Sequence, residues 1–182
     1  MTSGATRVID TGSSAMSPHL PKAALQRIRL ILAFFLIALV LSGITAFPLV
    51  YELNLLCSWF GIPEGADPNR FSGLQHWLAL VRQGLVETGA QYPFLAYGTD
   101  WLAFGHLVIA VFIFGAWLDP IRNEYILNAA IAACLMVLPL ALICGPIRGI
   151  PFYWQLIDCS FGLFGILPLL YIKRLLRASV SG

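Results

Sequence analysis

Two ionisable side chains lie inside hydrophobic segments of this 182-residue chain, and they are the strongest candidates for chemistry. His106 follows the start of one segment at Asp100, and Asp158 follows the start of another at Pro151. Since a helix rises about 1.5 Å per residue, both side chains are expected roughly 10 Å inside their helices, at the same depth. An ionisable group inside a membrane span usually has a polar partner. The sequence therefore predicts a hydrogen bond between His106 and Asp158, provided that the two helices are neighbours.

Further polar and aromatic residues are expected near the same end of these helices. Arg148 lies in a loop rich in glycine and proline, where its guanidinium could bind a phosphate or a carboxylate. Asp100 is expected at the positive end of a helix dipole. Trp101 and Trp154 belong to an aromatic belt, some of which could line a pocket. The residues of the predicted ligand-binding pocket are His106, Asp158, Arg148, Asp100, Trp101 and Trp154.

Three functions are compatible with such a pocket. A carboxylate beside a histidine orients its tautomer and suits the binding of an amphiphilic ligand such as a lipid or a quinone. In a purely structural role, the same pair would only tie two helices together. The second function is that of a structural or assembly subunit of a larger membrane complex, for which the aromatic and Ala/Gly-rich faces would be contact surfaces. As a third alternative, His106 and Asp158 would serve as the acid and base of a small membrane enzyme.

Several other kinds of site are not expected. No nucleotide-binding loop or nucleophile elbow is present. A haem held by His76 and His106 is not expected, because the chain has only three histidines and these two belong to different segments. No metal site is expected from the four cysteines, which lack ligand spacing and are Cys57, Cys134, Cys144 and Cys159. The net charge of +2 is spread along the chain, which argues against a nucleic-acid partner and leaves membrane lipids and membrane proteins as expected partners.

The composition places these residues in a membrane protein. Hydrophobic residues make up 59% of the chain and charged residues 11%, with a mean hydropathy of +0.81. In soluble domains roughly a quarter of the residues are charged. We therefore predict a disordered cytoplasmic tail, residues 1–21, followed by a single all-α integral membrane domain, residues 22–182. Its four transmembrane helices are predicted at about 30–50, 99–118, 125–144 and 152–172.

Residues 51–95 are too polar to span a membrane and are predicted to form an extracytoplasmic cap. An amphipathic helix is indicated there by apolar residues at spacings of three and four, namely Phe71, Leu74, Leu78, Val81 and Leu85. The polar residues predicted on its opposite face are Gln75, Arg82, Gln83 and Glu87. This helix is expected either in the membrane interface or packed on the bundle as a cap.

Local signals refine the predicted spans. Gly43 and Pro48 are expected to bend the first span or to end it early. Thr99 is a candidate N-cap for the second span. Pro139 is expected to kink the third. The short connection between the third and fourth spans predicts that these two are antiparallel neighbours.

The distribution of Lys and Arg predicts the orientation. With both termini on one side of the membrane, that side carries eight of these residues and the other side three. The positive-inside rule then places both termini in the cytoplasm. The cap and the Arg148 loop are expected on the extracytoplasmic side of a bacterial cytoplasmic membrane.

Overall fold

The computed structural model describes residues 20–180, which contain helices and no strands. The helices are α1 (Lys22–Ala46), α2 (Leu49–Trp59), α3 (Gly73–Gln91), α4 (Ala96–Leu118), α5 (Glu124–Pro139), α6 (Gly145–Ile147) and α7 (Phe152–Val180). Two short 3-10 turns, Pro68–Arg70 and Pro93–Leu95, and a π-helical segment, Leu140–Cys144, lie between them. Residues 1–19 of the predicted tail lie outside the described residues.

Four helical stretches are long and apolar enough to cross a membrane, as predicted. They are Lys22–Ala46, Pro93–Leu118, Glu124–Ile147 and Phe152–Ala178, with mean hydropathies of 2.4, 2.0, 2.5 and 1.6. Their outer faces carry large apolar side chains such as Phe34 and Phe164, which are 70% and 73% exposed. Lipid is the solvent that such faces require. The chain is therefore an all-α membrane protein with four candidate spans.

The four long helices form two closely packed pairs, α1 with α4 and α5 with α7. Glycines make both contacts possible. A Cβ atom added to Gly43 would lie 3.0 Å from Ala103 O, and one added to Gly162 would lie 2.5 Å from Cys134 O. Backbones approach this closely only where one residue has no side chain. The α5–α7 pair confirms the prediction that the third and fourth spans are neighbours.

The two pairs meet in a buried cluster at the end where α1 and α5 begin and α4 and α7 end. Its members are Ile28, Leu32, Ile113, Ala116, Leu127, Leu169, Ile172 and Leu176. Around the bundle, α1, α4, α5 and α7 follow one another, because α4 also contacts α5 and α7 also contacts α1. This order places α4 and α7 on a diagonal.

Charged side chains close the same end of the bundle. The Arg29 guanidinium donates to Leu118 O at 3.1 Å and lies 5.6 Å from the centroid of the Trp117 ring. A cation here satisfies carbonyls at the negative end of α4. Lys173 of α7 forms an ion pair with Glu124 of α5 at 3.2 Å and donates to the Asn128 side chain.

Several helix boundaries differ from the predicted spans, and α1 begins before and α7 ends after the predicted limits, at Lys22 and Val180. The first span ends early, at Ala46, and Pro48 separates α1 from α2. The second span begins earlier than predicted, because Pro93 opens a 3-10 turn that leads directly into α4. Thr99 therefore lies inside α4, where its hydroxyl donates to Ala96 O at 2.7 Å. The prediction that Thr99 is the N-cap, with Asp100 at the helix end, is wrong.

Helices α2 and α3 with the loop between them form a unit, residues 49–91, which we call the cap. The apolar stripe of α3 packs against α2, as the spacing of its residues predicted. The buried cluster between them contains Leu53, Cys57, Ile62, Leu78 and Ala79. Trp154 of α7 packs against the same cluster and the Tyr153 hydroxyl donates to Gly73 O, so the cap also contacts the bundle.

Arg82 departs from the predicted polar face of α3. It is only 5% exposed, and its guanidinium donates to Ile62 O at 3.3 Å and Pro63 O at 2.5 Å. The first part of α3 supplies two more such contacts, from Gln75 to Phe60 O and from His76 Nδ1 to a loop carbonyl. The loop therefore folds back over α3, and this path buries a side chain that periodicity alone assigns to solvent.

We predict that Gly162→Ala destabilises the protein, because the new methyl group would overlap the carbonyl of Cys134. The expected loss is about 1–3 kcal/mol, as for other overpacked contacts. Thermal unfolding in detergent, followed by circular dichroism, measures it. The matched control is Gly105→Ala in α4, where nothing lies within 4 Å of the added Cβ atom. Equal unfolding temperatures for both variants would contradict the close α5–α7 contact.

Candidate functional site

The structure distributes the six predicted pocket residues over several places. Asp100, Trp101 and His106 lie on α4, and Trp154 and Asp158 lie on α7. Arg148 is in the connection between α6 and α7. Because α4 and α7 are diagonal in the bundle, one pocket containing all six residues is not formed.

The predicted hydrogen bond between His106 and Asp158 is wrong. His106 Nδ1 donates to Leu102 O, one turn back on its own helix, at 2.8 Å. Within residues 20–180, Asp158 makes no hydrogen bond or ion pair. The two residues do lie on separate spans, but α4 packs against α1 and α5 rather than against α7. Equal depth in two helices therefore does not bring their side chains together.

Arg148 and Asp158, in contrast, line one cavity. It has a volume of about 250 Å³ and lies between the end of α5, α6 and the start of α7. Its lining residues are Val137, Leu140, Ala141, Cys144, Gly145, Arg148, Ile150 and Asp158. The structure thus brings two of the six residues, both charged, to one otherwise mostly apolar cavity.

The backbone places Arg148 at the mouth of this cavity. The π-helical segment follows Pro139 directly, and a proline inside a helix disturbs the hydrogen-bond ladder. Helix α6 then ends at Ile147, and the φ of Gly149 shortly after it is 70°, in the left-handed region. The Ile150 amide donates to Gly145 O at 2.9 Å, which completes a Schellman motif. Arg148 is the last residue before that turn, at the negative end of the helix.

Gln155 is a residue of this region that the sequence analysis did not identify. It is 4% exposed, and its Nε2 donates to Ile150 O at 2.8 Å. A Cβ atom on Gly145 would lie 2.7 Å from Gln155 Cδ, so this glycine makes room for the amide. One sequence feature could have identified Gln155: it lies three residues before Asp158, a spacing that places both side chains on one face of α7.

Asp100 and Trp101 belong to a different cavity, of about 300 Å³, which they share with Phe47, Tyr97 and Phe104. The Trp101 ring meets the Tyr97 and Phe104 rings edge to face, with centroid distances of 6.0 and 5.8 Å. This cavity is built by α4 and the residue that follows α1. It is therefore separate from the cavity of Arg148 and Asp158.

Trp154 joins α7 to the cap. Its ring centroid is 6.3 Å from that of Trp77 on α3, and it packs against the buried cluster of the cap. The neighbouring Tyr153 hydroxyl donates to Gly73 O at 3.2 Å. These contacts make Trp154 an anchor for the cap on the bundle.

The four cysteines are free, and they differ in exposure. Cys57 and Cys159 are buried, Cys134 is half-buried and Cys144 is exposed. Cys57 Sγ lies 3.8 Å from Leu78 O, where it contributes to the packing between α2 and α3. Cys144 lines the cavity of Arg148 and Asp158, so the reactivity of its thiol can be used to probe that cavity.

The chemistry available in this cavity follows from its two charges. Arg148 and Asp158 are more than 4.0 Å apart, since they form no ion pair. Arg148 can bind an anionic oxygen, and Asp158 can accept a hydrogen bond from an amine or a hydroxyl. Small-molecule pockets commonly measure about 300–1,000 Å³. A cavity of about 250 Å³ therefore suits a polar head group rather than a whole amphiphile.

Comparison of the chain with protein-family models, with curated proteins and with solved structures found no match. The site is therefore interpreted from its own geometry.

We predict that Asp158→Asn does not destabilise the ligand-free protein. The half-buried carboxylate has no partner among the described residues, and a charge beside apolar surface is unfavourable. The expected free energy of unfolding is unchanged or higher by about 1 kcal/mol. Thermal unfolding after extensive washing in detergent measures it. A clear loss of stability would show that the carboxylate makes a favourable internal contact.

Proposed function

We propose that this protein binds an amphiphilic ligand, a lipid or a quinone, whose polar head occupies the cavity of Arg148 and Asp158. The observation that carries the proposal is that two opposite charges line one cavity, although neither has a hydrogen-bond or ion-pair partner among the described residues. Asp158 is half-buried within a membrane span, where an ionised carboxylate is unfavourable unless something neutralises it, and the exposed Arg148 can reach an anionic oxygen. A ligand head group with an anionic oxygen and a donor would do so.

A phospholipid fits this cavity better than a quinone does. A phosphate would bind the Arg148 guanidinium, and an amine or hydroxyl of the same head group would donate to Asp158. The apolar lining residues Val137, Leu140 and Ala141 would contact the first methylene groups of the chains. A quinone offers carbonyl oxygens to Arg148 but no donor to the carboxylate.

The proposed location is a bacterial cytoplasmic membrane, with both termini in the cytoplasm. The support is the excess of Lys and Arg on the side of the termini. In this orientation the bundle end with Arg29 and Lys173 is cytoplasmic. The cap and the Arg148 cavity are then extracytoplasmic, where the cavity would meet lipids of the outer leaflet.

An assembly subunit is the second candidate function. The observation that favours it is an alanine face on α5, where Ala129, Ala132 and Ala133 are exposed. Small residues of this kind permit close approach of a helix from another protein. An enzyme that uses His106 and Asp158 as an acid–base pair has no comparable support, because the two side chains do not meet.

The test is purification of the full chain in mild detergent, followed by mass spectrometry of the retained lipids and quinones. We expect a stoichiometric phospholipid with the wild-type protein. Arg148→Gln and Asp158→Asn should each lower its retention by about tenfold, the effect of one lost charge-assisted hydrogen bond.

His106→Leu is the matched control, because His106 lies inside a span but bonds only to its own helix. It should retain the ligand as the wild type does. A stoichiometric protein partner with no retained lipid would favour the assembly subunit. Retention of a quinone would change the ligand class, and equal retention by all variants would contradict the proposed site.

A further inference from the structure

The cap contains a second cavity, which is larger than the one between α5 and α7. Its volume is about 480 Å³, within the usual range of small-molecule sites. It lies between α2, the middle and last turns of α3 and the loop that joins them. Its polar lining residues are Asn54, Glu64, Asp67, Arg82, Gln83 and Glu87.

Arg82 is the buried charge of this cavity. Only two of its N–H groups are used, in the hydrogen bonds to the loop carbonyls of Ile62 and Pro63. No carboxylate lies within 4.0 Å of the guanidinium among the described residues. Among the described residues, every fully buried side-chain nitrogen or oxygen has a hydrogen-bond partner. Arg82 Nε has no hydrogen-bond partner there, so it is not fully buried. Nε is therefore reachable from outside, and a buried guanidinium without a counter-ion favours an anion there.

The remaining charges of the lining are negative. Glu87 accepts a hydrogen bond from Gln83 at 2.7 Å, and Asp67 accepts one from the Asn69 amide at 2.9 Å. Glu64 makes no hydrogen bond among the described residues, and none of these three carboxylates has a cationic partner there. In the described part of the chain, acidic groups, histidines and cysteines do not converge on a possible metal position.

The buried guanidinium and the three exposed carboxylates of the lining favour a ligand that carries both signs over one of a single sign. A plain anion would meet Arg82 but would be repelled by three carboxylates. A plain cation would meet the carboxylates but would leave the buried guanidinium without a counter-ion and be repelled by it. A small molecule with a carboxylate at one end of its polar group and an ammonium at the other supplies an anion for Arg82 and a cation for the carboxylates.

We propose that the cap binds a small zwitterion of the amino-acid type. The ligand carboxylate accepts hydrogen bonds from the free N–H groups of Arg82, and its ammonium donates to Glu64 and Glu87. Ala79 and Val86, also in the lining, contact its side chain. This site does not depend on the proposed lipid site, with which it shares no lining residue.

Isothermal titration calorimetry tests the proposal, with the full chain in detergent and the common L-amino acids as probes. We expect saturable binding of at least one of them. The tightest binder is then compared with two relatives, the amine that lacks its carboxylate and the acid that lacks its amine. Each relative should bind about tenfold more weakly, because one charge-assisted contact is lost.

Two glutamates provide matched variants. Glu64→Gln should weaken binding of the zwitterion about tenfold, since it removes a charge from the lining without breaking a described hydrogen bond. Glu52→Gln, on α2 but outside the lining, should leave binding unchanged. The proposal is overturned if no amino acid binds, if the amine alone binds as tightly as the zwitterion, or if both variants bind alike.

Discussion

Close contact between helix backbones determines where the polar groups of this protein lie. Gly162 of α7 lies against the carbonyl of Cys134 in α5, and Gly43 of α1 lies against that of Ala103 in α4. These contacts fix which helix faces meet. They pair α7 with α5 and α1 with α4, so that Asp158 faces the end of α5. His106 belongs to the other pair and makes its hydrogen bond within α4.

The segment that follows α5 forms a polar cavity with the start of α7. Its π-helical segment and the left-handed Gly149 bring Arg148 back toward α7, where Asp158 and the buried Gln155 lie. In the cap, a charged side chain again contacts irregular backbone, because Arg82 donates hydrogen bonds to two carbonyls of the loop over α3. In both regions a charged side chain without a counter-ion among the described residues lines a cavity. The two proposed ligands would supply the missing charges.

The sequence predicts those features that each segment determines by itself. Hydropathy locates the four spans, and the apolar stripe of α3 predicts a packed helix, because both depend on local composition. Helix pairing depends on surfaces that many residues form together. A shared depth in the membrane was therefore not enough to predict a contact between His106 and Asp158. Burial of Arg82 depends on the path of a loop. Arg148 and Asp158 were predictable because a short connection keeps α5 and α7 together.

The reactivity of Cys144 tests the ligand site most directly, because this exposed thiol lines the cavity of Arg148 and Asp158. Its alkylation by N-ethylmaleimide can be followed by mass spectrometry of the purified protein after its bound lipid has been washed out, with and without added phospholipid. If the cavity binds a lipid head group, added phospholipid slows alkylation of Cys144 in the wild type but not in Asp158→Asn. Equal slowing in both proteins, or none in either, would contradict the account.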